Sequence, residues 1–216
     1  MSSTAAAAGA TDVDGAAARD EPVLLGRALY DRGVTPGRTG NLSRVVGERI
    51  LMTPTNSCLG RLHPDQLSVL GRDGTHLEGP PPSKEVVLHL ALYETQPQAR
   101  AVAHVHSTHA VAFSCLDDLD PDDVLAPLTA YYVMRVGRLP LVGYLRPGDP
   151  GLGAAVVAAG SPCVLLAHHG SVAAAPTLEA AVDAVEEIEE TASIALLLRH
   201  HPHHPLTPAQ ADALRS

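Results

Sequence analysis

Aromatic residues are scarce in this 216-residue chain, which has no tryptophan, one phenylalanine and five tyrosines. Its core must therefore be built from alanine, valine and leucine, and a hydrophobic content of 45% supplies enough of them for a globular domain. Basic residues are also few, 15 Lys and Arg against 24 Asp and Glu, which gives a formal charge of −9. Surfaces for nucleic acid or anionic membrane need clustered positive charge, so no partner of either kind is expected and any anionic ligand has to be held by a local site. The three cysteines, Cys58, Cys115 and Cys163, are far apart and include no CxxC pair. They support neither a disulfide framework nor a thiolate zinc site, and read as buried thiols in a reducing compartment. No run of about 18 apolar residues occurs, so no membrane span is expected. The N-terminus lacks the basic start and apolar core of a signal peptide, and the expected location is the cytoplasm. Also missing are a GxxxxGK[ST] loop, a GxSxG elbow and a GxGxxG after a strand, which leaves nucleotide-binding and serine-hydrolase readings without support.

What is present suits one domain. Residues 1–20 are mostly small and polar and are expected to be a disordered tail, with residues 21–216 forming the domain. Helical spacing starts at 23–30, where Leu25, Ala28 and Leu29 share a stripe. The stretch 39–43 is expected to turn into a strand, with further strands at 49–52 and 67–70, the last running into the hairpin dipeptide Asp73-Gly74. After three prolines the chain is expected to form a helix over 83–95 with Ser83 as N-cap, then a strand ending in Ala-Val-Ala-His-Val-His at 101–106. A short helix from Thr108, an acidic loop over 117–123, apolar strands at 139–142 and 163–167, and an Ala/Val helix over 151–159 follow. A long helix over 178–198, capped by Thr177, is the last strong element. Strands and helices mixed in this order predict a layered α/β domain with a sheet between helices.

Two stretches carry donors that suit a metal ion. On a strand His104 and His106 face the same side, about 6.5–7 Å apart along the backbone, as a chelating pair. A third histidine can come from His168 or His169 at the end of the apolar run 163–167, or from His109; adjacent residues on an extended chain face opposite ways, so one of His168 and His169 points inward. Three neutral imidazoles with an open position suit zinc and similar divalent ions. Separately, Ser83-Lys84-Glu85 at a helix start places a hydroxyl, an ammonium and backbone N–H groups where a phosphate could sit, and Asn41 with the turn 53–56 could add donors. Four histidines at 200–204 lie between prolines near the end of the chain and are expected to be solvent-exposed.

Taken together, Thr39-Gly-Asn-Leu-Ser43, Thr53-Pro-Thr55, Pro82-Ser-Lys-Glu85, His104-Val-His106 and His168-His-Gly170 resemble the class II aldolase/adducin family, over most of the chain beyond the tail. Within it, residues 128–142 and Arg146-Pro-Gly-Asp149 are most similar to the 3-oxo-tetronate 4-phosphate decarboxylases. The resemblance implies a three-layer α/β/α sandwich around a mainly antiparallel sheet, and a homotetramer with sites at subunit boundaries. It also implies a divalent metal, Zn2+ or Mn2+, held by His104, His106 and His169. Glu85 falls on the acid/base that can also touch the metal, and Asn41, Thr55, Ser83 and Lys84 on a phosphate pocket. Two positions depart from the family's usual residues: His168 stands where Asn is common, and Asn56 where Gly is common. The implied reaction is loss of CO2 from a four-carbon 3-oxo acid phosphate through a metal-stabilised enediolate, giving dihydroxyacetone phosphate. Tyr132, or its neighbour Tyr131, is expected to be a proton donor reaching across a subunit boundary. A fuculose-phosphate-type aldolase is the nearest alternative, a dehydratase of a methylthio-pentulose phosphate a more distant one, and an adducin-like scaffold the non-catalytic one.

Overall fold

Eight strands gather into one sheet in a computed structural model that describes residues 15–215. In chain order they are β1 (Asn41–Val46), β2 (Arg49–Met52), β3 (Ser68–Gly71), β4 (His76–Glu78), β5 (Ala101–Val105), β6 (Leu141–Val142), β7 (Cys163–Leu166) and β8 (Gly170–Ala175). Their spatial order is β4-β3-β2-β1-β5-β8-β7-β6, and every pair is antiparallel except β6 with β7. The helices are α1 (Ala16–Asp31), α2 (Val86–Thr95), α3 (Thr108–Ser114), α4 (Ala130–Arg135), α5 (Gly151–Ala159), α6 (Leu178–Leu198) and α7 (Pro208–Ala213).

Alternation along the strands divides the core into two apolar layers. Ala101, Ala103 and Val105 of β5 face one side, with Leu165 of β7 and Ala173 of β8, and are covered by Leu29 of α1, Phe113 of α3, Tyr132 of α4 and Val185 and Ile188 of α6. Val102, Val164, Val172 and Ala174 face the other side, under Leu88 and Leu92 of α2 and Leu152 and Val156 of α5. Sheet and helices thus form the expected α/β/α sandwich, with alanine and valine thinning the central strands enough for helices to pack closely.

Three elements differ from the expected pattern. The stretch Ser171-Val-Ala-Ala-Ala175 has little intrinsic strand preference, yet β8 is a central strand, because β5 and β7 each offer it a full edge. Helix α2 starts at Val86 rather than Ser83, because Ser83 N is tied to Thr53 O (3.3 Å) and Pro82 bridges to Pro54, which keeps the preceding residues extended. Helix α1 runs from Ala16 straight through Pro22, a residue that in sequence marks a helix start. Residues 16–20 of the expected tail are therefore ordered, and residues 1–14 lie outside those described. Ala18 packs against Val46, Leu51 and Val69, and Arg19 Nη1 donates to Pro64 O at 3.3 Å. Removing residues 1–20 is accordingly expected to cost about 1–2 kcal/mol and lower the melting temperature by roughly 2–8 °C. An unchanged thermal melt would show that the start of α1 contributes nothing.

Candidate active site

Strand register assembles the site. Asn41 opens β1 directly opposite His104 on β5, and His104 in turn pairs with Val172 on β8. Gly40, just before β1, has a positive φ of 77°, and a Cβ there would lie 2.8 Å from His104 O, so the close crossing of the two strands needs glycine. Gly170 does the same on the other flank, where a Cβ would meet Val105 O at 2.2 Å. It lets the β7–β8 turn lie against the end of β5.

That turn settles which of the paired histidines enters. His168 takes a left-handed conformation (φ 57°), which reverses the chain and sends the two side chains apart. His169 is 5% exposed. His168 sits outside, its Nδ1 3.2 Å from Cys115 Sγ and its ring 6.1 Å from Tyr144; Cys115 is exposed and Cys58 half-buried, so of the three thiols expected to be buried Cys163 alone is. His109 is engaged elsewhere, its Nδ1 2.8 Å from Glu189 Oε1.

The rings of His104, His106 and His169 lie 4.6–4.9 Å apart between centroids. Together with Glu85 they place one donor atom each within 4.8 Å of all the others, and no other such group of metal-binding type occurs among the described residues. Their orientation suits ligands of one ion. His104 Nδ1 donates to Ser171 O (2.9 Å), so its Nε2 points inward, 2.9 Å from His106 Nε2 and 3.3 Å from Glu85 Oε2. Burial and the neighbouring His104 and His169 push His106 down to about 3, leaving a neutral ring. His169 Nε2 is 3.0 Å from Glu85 Oε1, yet neither ring nitrogen of His169 nor that carboxylate oxygen makes a hydrogen bond. Burial pushes the Glu85 carboxyl up, but His104 and His169 outweigh it and hold it well below the usual range. Three imidazoles and a buried carboxylate converging on one point, with His169 and one carboxylate oxygen unsatisfied, are a donor set that fits a divalent cation.

Glu85 is also the wall shared with a second feature. A cavity of about 180 Å3 is lined by Arg38, Asn41, Thr55, Asn56, Ser57, Ser83, Lys84, Glu85 and His106, among others. Thr55 is drawn beside Ser83 because Thr55 N donates to Pro81 O (3.0 Å). The Ser83 hydroxyl accepts from Glu85 N (3.3 Å), which leaves its proton free for a ligand. Asn56, at φ 57°, turns the loop, and Arg38 Nη1 donates to its carbonyl (3.2 Å). All four expected phosphate residues thus line one cavity, but Asn41 has its amide committed to Glu85 Oε2 (2.9 Å) and His89 Nε2 (2.5 Å). Arg38 and Ser57 escape sequence reading because nothing in their spacing sets them apart. A larger cleft of about 730 Å3 lies along α6, but Asp183, Glu186, Glu187, Glu189 and Glu190 line it, and so much negative charge is unsuited to a phosphate.

Tyr132 does not belong to the site. It is fully buried under α6, its hydroxyl has no partner, and burial raises its phenol well above the ordinary value. A tyrosine at 0% exposure reaches neither this cavity nor a neighbouring subunit. Tyr131, one position earlier on α4, is 59% exposed with its ring against Arg135.

Comparison with known proteins points to one family. The model of the Class II Aldolase and Adducin N-terminal domain matches residues 21–196. A 3-oxo-tetronate 4-phosphate decarboxylase of Escherichia coli K12 is 44% identical over 201 residues, covering 92% of this chain and 95% of the relative. An L-fuculose phosphate aldolase of Methanocaldococcus jannaschii is 32% identical over 175 residues, covering 81% and 93%. Among solved structures, that of YgbL from Escherichia coli superposes with a TM-score of 0.89 at 42% identity, covering 93% of this chain and 98% of its own.

Proposed function

The chain belongs to the class II aldolase and adducin family, and from that premise we propose that it is a metal-dependent carbon–carbon lyase that decarboxylates 3-oxo-tetronate 4-phosphate to dihydroxyacetone phosphate and CO2. The observation that carries this reading is the shared wall: Glu85 belongs both to the four-donor cluster and to the cavity holding Lys84, Ser83 and Thr55. The substrate therefore has its phosphate and its ketone recognised on either side of one carboxylate.

His104, His106 and His169 would hold the ion, with Glu85 at its edge; three imidazoles favour zinc, with manganese as the alternative. Bound there, a divalent cation supplies a Lewis acid for the substrate's ketone oxygen. The rest falls to the protein's own groups. Lys84, Ser83 and Thr55 fix the phosphate, with Arg38 and the loop at Asn56 closing its outer side, so that C3 faces the cluster. When the C1–C2 bond breaks, its electron pair moves into a C2–C3 enediolate and C1 leaves as CO2. The enediolate then needs one proton at C2, and Glu85 is the buried acid/base within the site to deliver it. Its carboxylate is ionised in the free protein, so it first takes up a proton from solvent through the open cavity and then hands it to C2, one proton being consumed per turnover; Tyr131 of a neighbouring copy is the member of the tyrosine pair free to assist from outside.

The same reading includes a homotetramer with sites at subunit boundaries. Tyr131, Met134 and Tyr144 are each more than half exposed, and Tyr144 lies beside His168 at the rim of the site, which supports a partner surface there. No helix among the described residues is long and apolar enough to cross a membrane, and all three cysteines are free thiols, which supports the expected cytoplasmic location.

The test is incubation of the metal-loaded protein with 3-oxo-tetronate 4-phosphate while CO2 and dihydroxyacetone phosphate are followed together. Equal release of both is expected. Cleavage of ketose 1-phosphates to dihydroxyacetone phosphate and an aldehyde, with no CO2 from the oxo acid, would move the assignment to an aldolase.

A further inference from the structure

Behind Glu85 a line of buried polar side chains runs through the sheet layer to α2. Glu85 Oε2 accepts from Asn41 Nδ2 (2.9 Å), Asn41 Oδ1 faces His89 Nε2 (2.5 Å), His89 Nδ1 faces Ser43 Oγ (2.7 Å), and Ser43 Oγ faces Tyr93 OH (2.7 Å). Asn41, Ser43 and His89 are at most 4% exposed. Two strand residues and two helix residues thus meet behind the site, at positions that the metal cluster and the phosphate cavity leave unexplained.

The polarity of every bond in the line follows from the first. An ionised carboxylate only accepts, so the Asn41 amide must turn its NH2 to Glu85 and its oxygen to His89. His89 Nε2 then has to carry a proton. Burial and the nearby His104 push His89 down to about 3, so the ring is neutral and its Nδ1 is a bare acceptor. Ser43 uses its single proton on that nitrogen and accepts from Tyr93, whose phenol burial holds above its ordinary value and therefore protonated. Five groups have one self-consistent arrangement, and all donors point toward Glu85.

We propose that His89 is a positioning residue for the reaction: through Asn41 it fixes the place and orientation of the Glu85 carboxylate, with Ser43 and Tyr93 holding His89 in its Nε2–H tautomer. The line conveys orientation and not protons, since a carboxamide cannot accept a proton on its NH2 and pass it on. This inference rests on the reading of Glu85 as the acid/base.

The test uses the full chain with saturating divalent metal. His89→Leu keeps the bulk of the side chain but leaves Asn41 free to rotate, and is expected to lower kcat by about 10- to 100-fold with KM and bound metal little changed. His89→Gln places an amide N–H where Nε2 stood and is expected to recover most of the wild-type kcat. A fully active His89→Leu, or a His89→Gln as impaired as the leucine variant, would overturn the proposal, the second by reducing the role to packing. Should His89→Leu fail to fold, the 15N spectrum of His89 in wild-type and Ser43→Ala protein decides without any turnover. A single Nε2–H tautomer in the wild type and a mixture in Ser43→Ala is expected, and an Nδ1–H or doubly protonated ring in the wild type would contradict it. Glu85→Gln separates the two levels. If that variant is inactive while His89→Leu is not, only the positioning role fails; if it is fully active, the reading of Glu85 fails first.

Discussion

Replacing Glu85 by glutamine is expected to leave one divalent ion bound and to lower kcat by about 10²- to 10⁴-fold, the span usual for loss of a positioned acid/base. The substitution is nearly isosteric, and the site tolerates its shape. What it cannot keep is the chemistry: an amide neither stores nor returns a proton at the position now 3.0 Å from His169 Nε2 and 2.9 Å from Asn41 Nδ2. Its oxygen can still accept from Asn41 Nδ2 while its NH2 turns to the histidine side, so the place of the side chain is kept. The three imidazoles stay in place, so metal content should hold. Rates of dihydroxyacetone phosphate formation, measured beside metal content, check this. Unchanged kcat would remove Glu85 from the mechanism, and loss of the ion would make it chiefly a ligand.

His169→Ala is the second large effect. His169 sits in the turn between β7 and β8 rather than in either apolar layer, and neither of its ring nitrogens makes a hydrogen bond in the protein. Its removal therefore costs the fold little. It does take away one of three imidazoles, and the ion should be lost on gel filtration together with activity, a drop on the order of 10³-fold or more given the several kcal/mol that a Lewis acid contributes. Circular dichroism should be unchanged. His104→Ala should show the same loss of metal, with more damage to stability because His104 is fully buried on β5 and bonded to Ser171 O. A metal-free His169→Ala protein with wild-type turnover would refute the ligand assignment.

Much of this site was legible because its chemistry follows strand and turn periodicity. His104 and His106 share a face by simple alternation, and a further histidine pair closes a later apolar run. The choice between His168 and His169 depended on a left-handed residue that no pattern of alternation reveals. The choice between Tyr131 and Tyr132 depended on the phase of a six-residue helix, too short for a hydrophobic stripe to fix, and the buried member proved to be Tyr132. The start of α2 was misplaced because Ser83 looks like an N-cap locally, while its backbone is held by Thr53 in a loop that shapes the anion cavity. His89 was missed because a lone histidine on an apolar helix carries no message by itself. One signal was available: Glu85, His89 and Tyr93 recur every four residues, a polar stripe on a helix whose neighbours are otherwise apolar.

Metal titration of the apo-protein against 3-oxo-tetronate 4-phosphate tests the central claim most directly. Bound ion and CO2 release, measured on the same samples, should rise together and level off at one ion per chain. Full CO2 release from protein stripped of metal, or activity that continues to climb well past one ion per chain, would contradict a single His104–His106–His169 centre as the seat of the reaction.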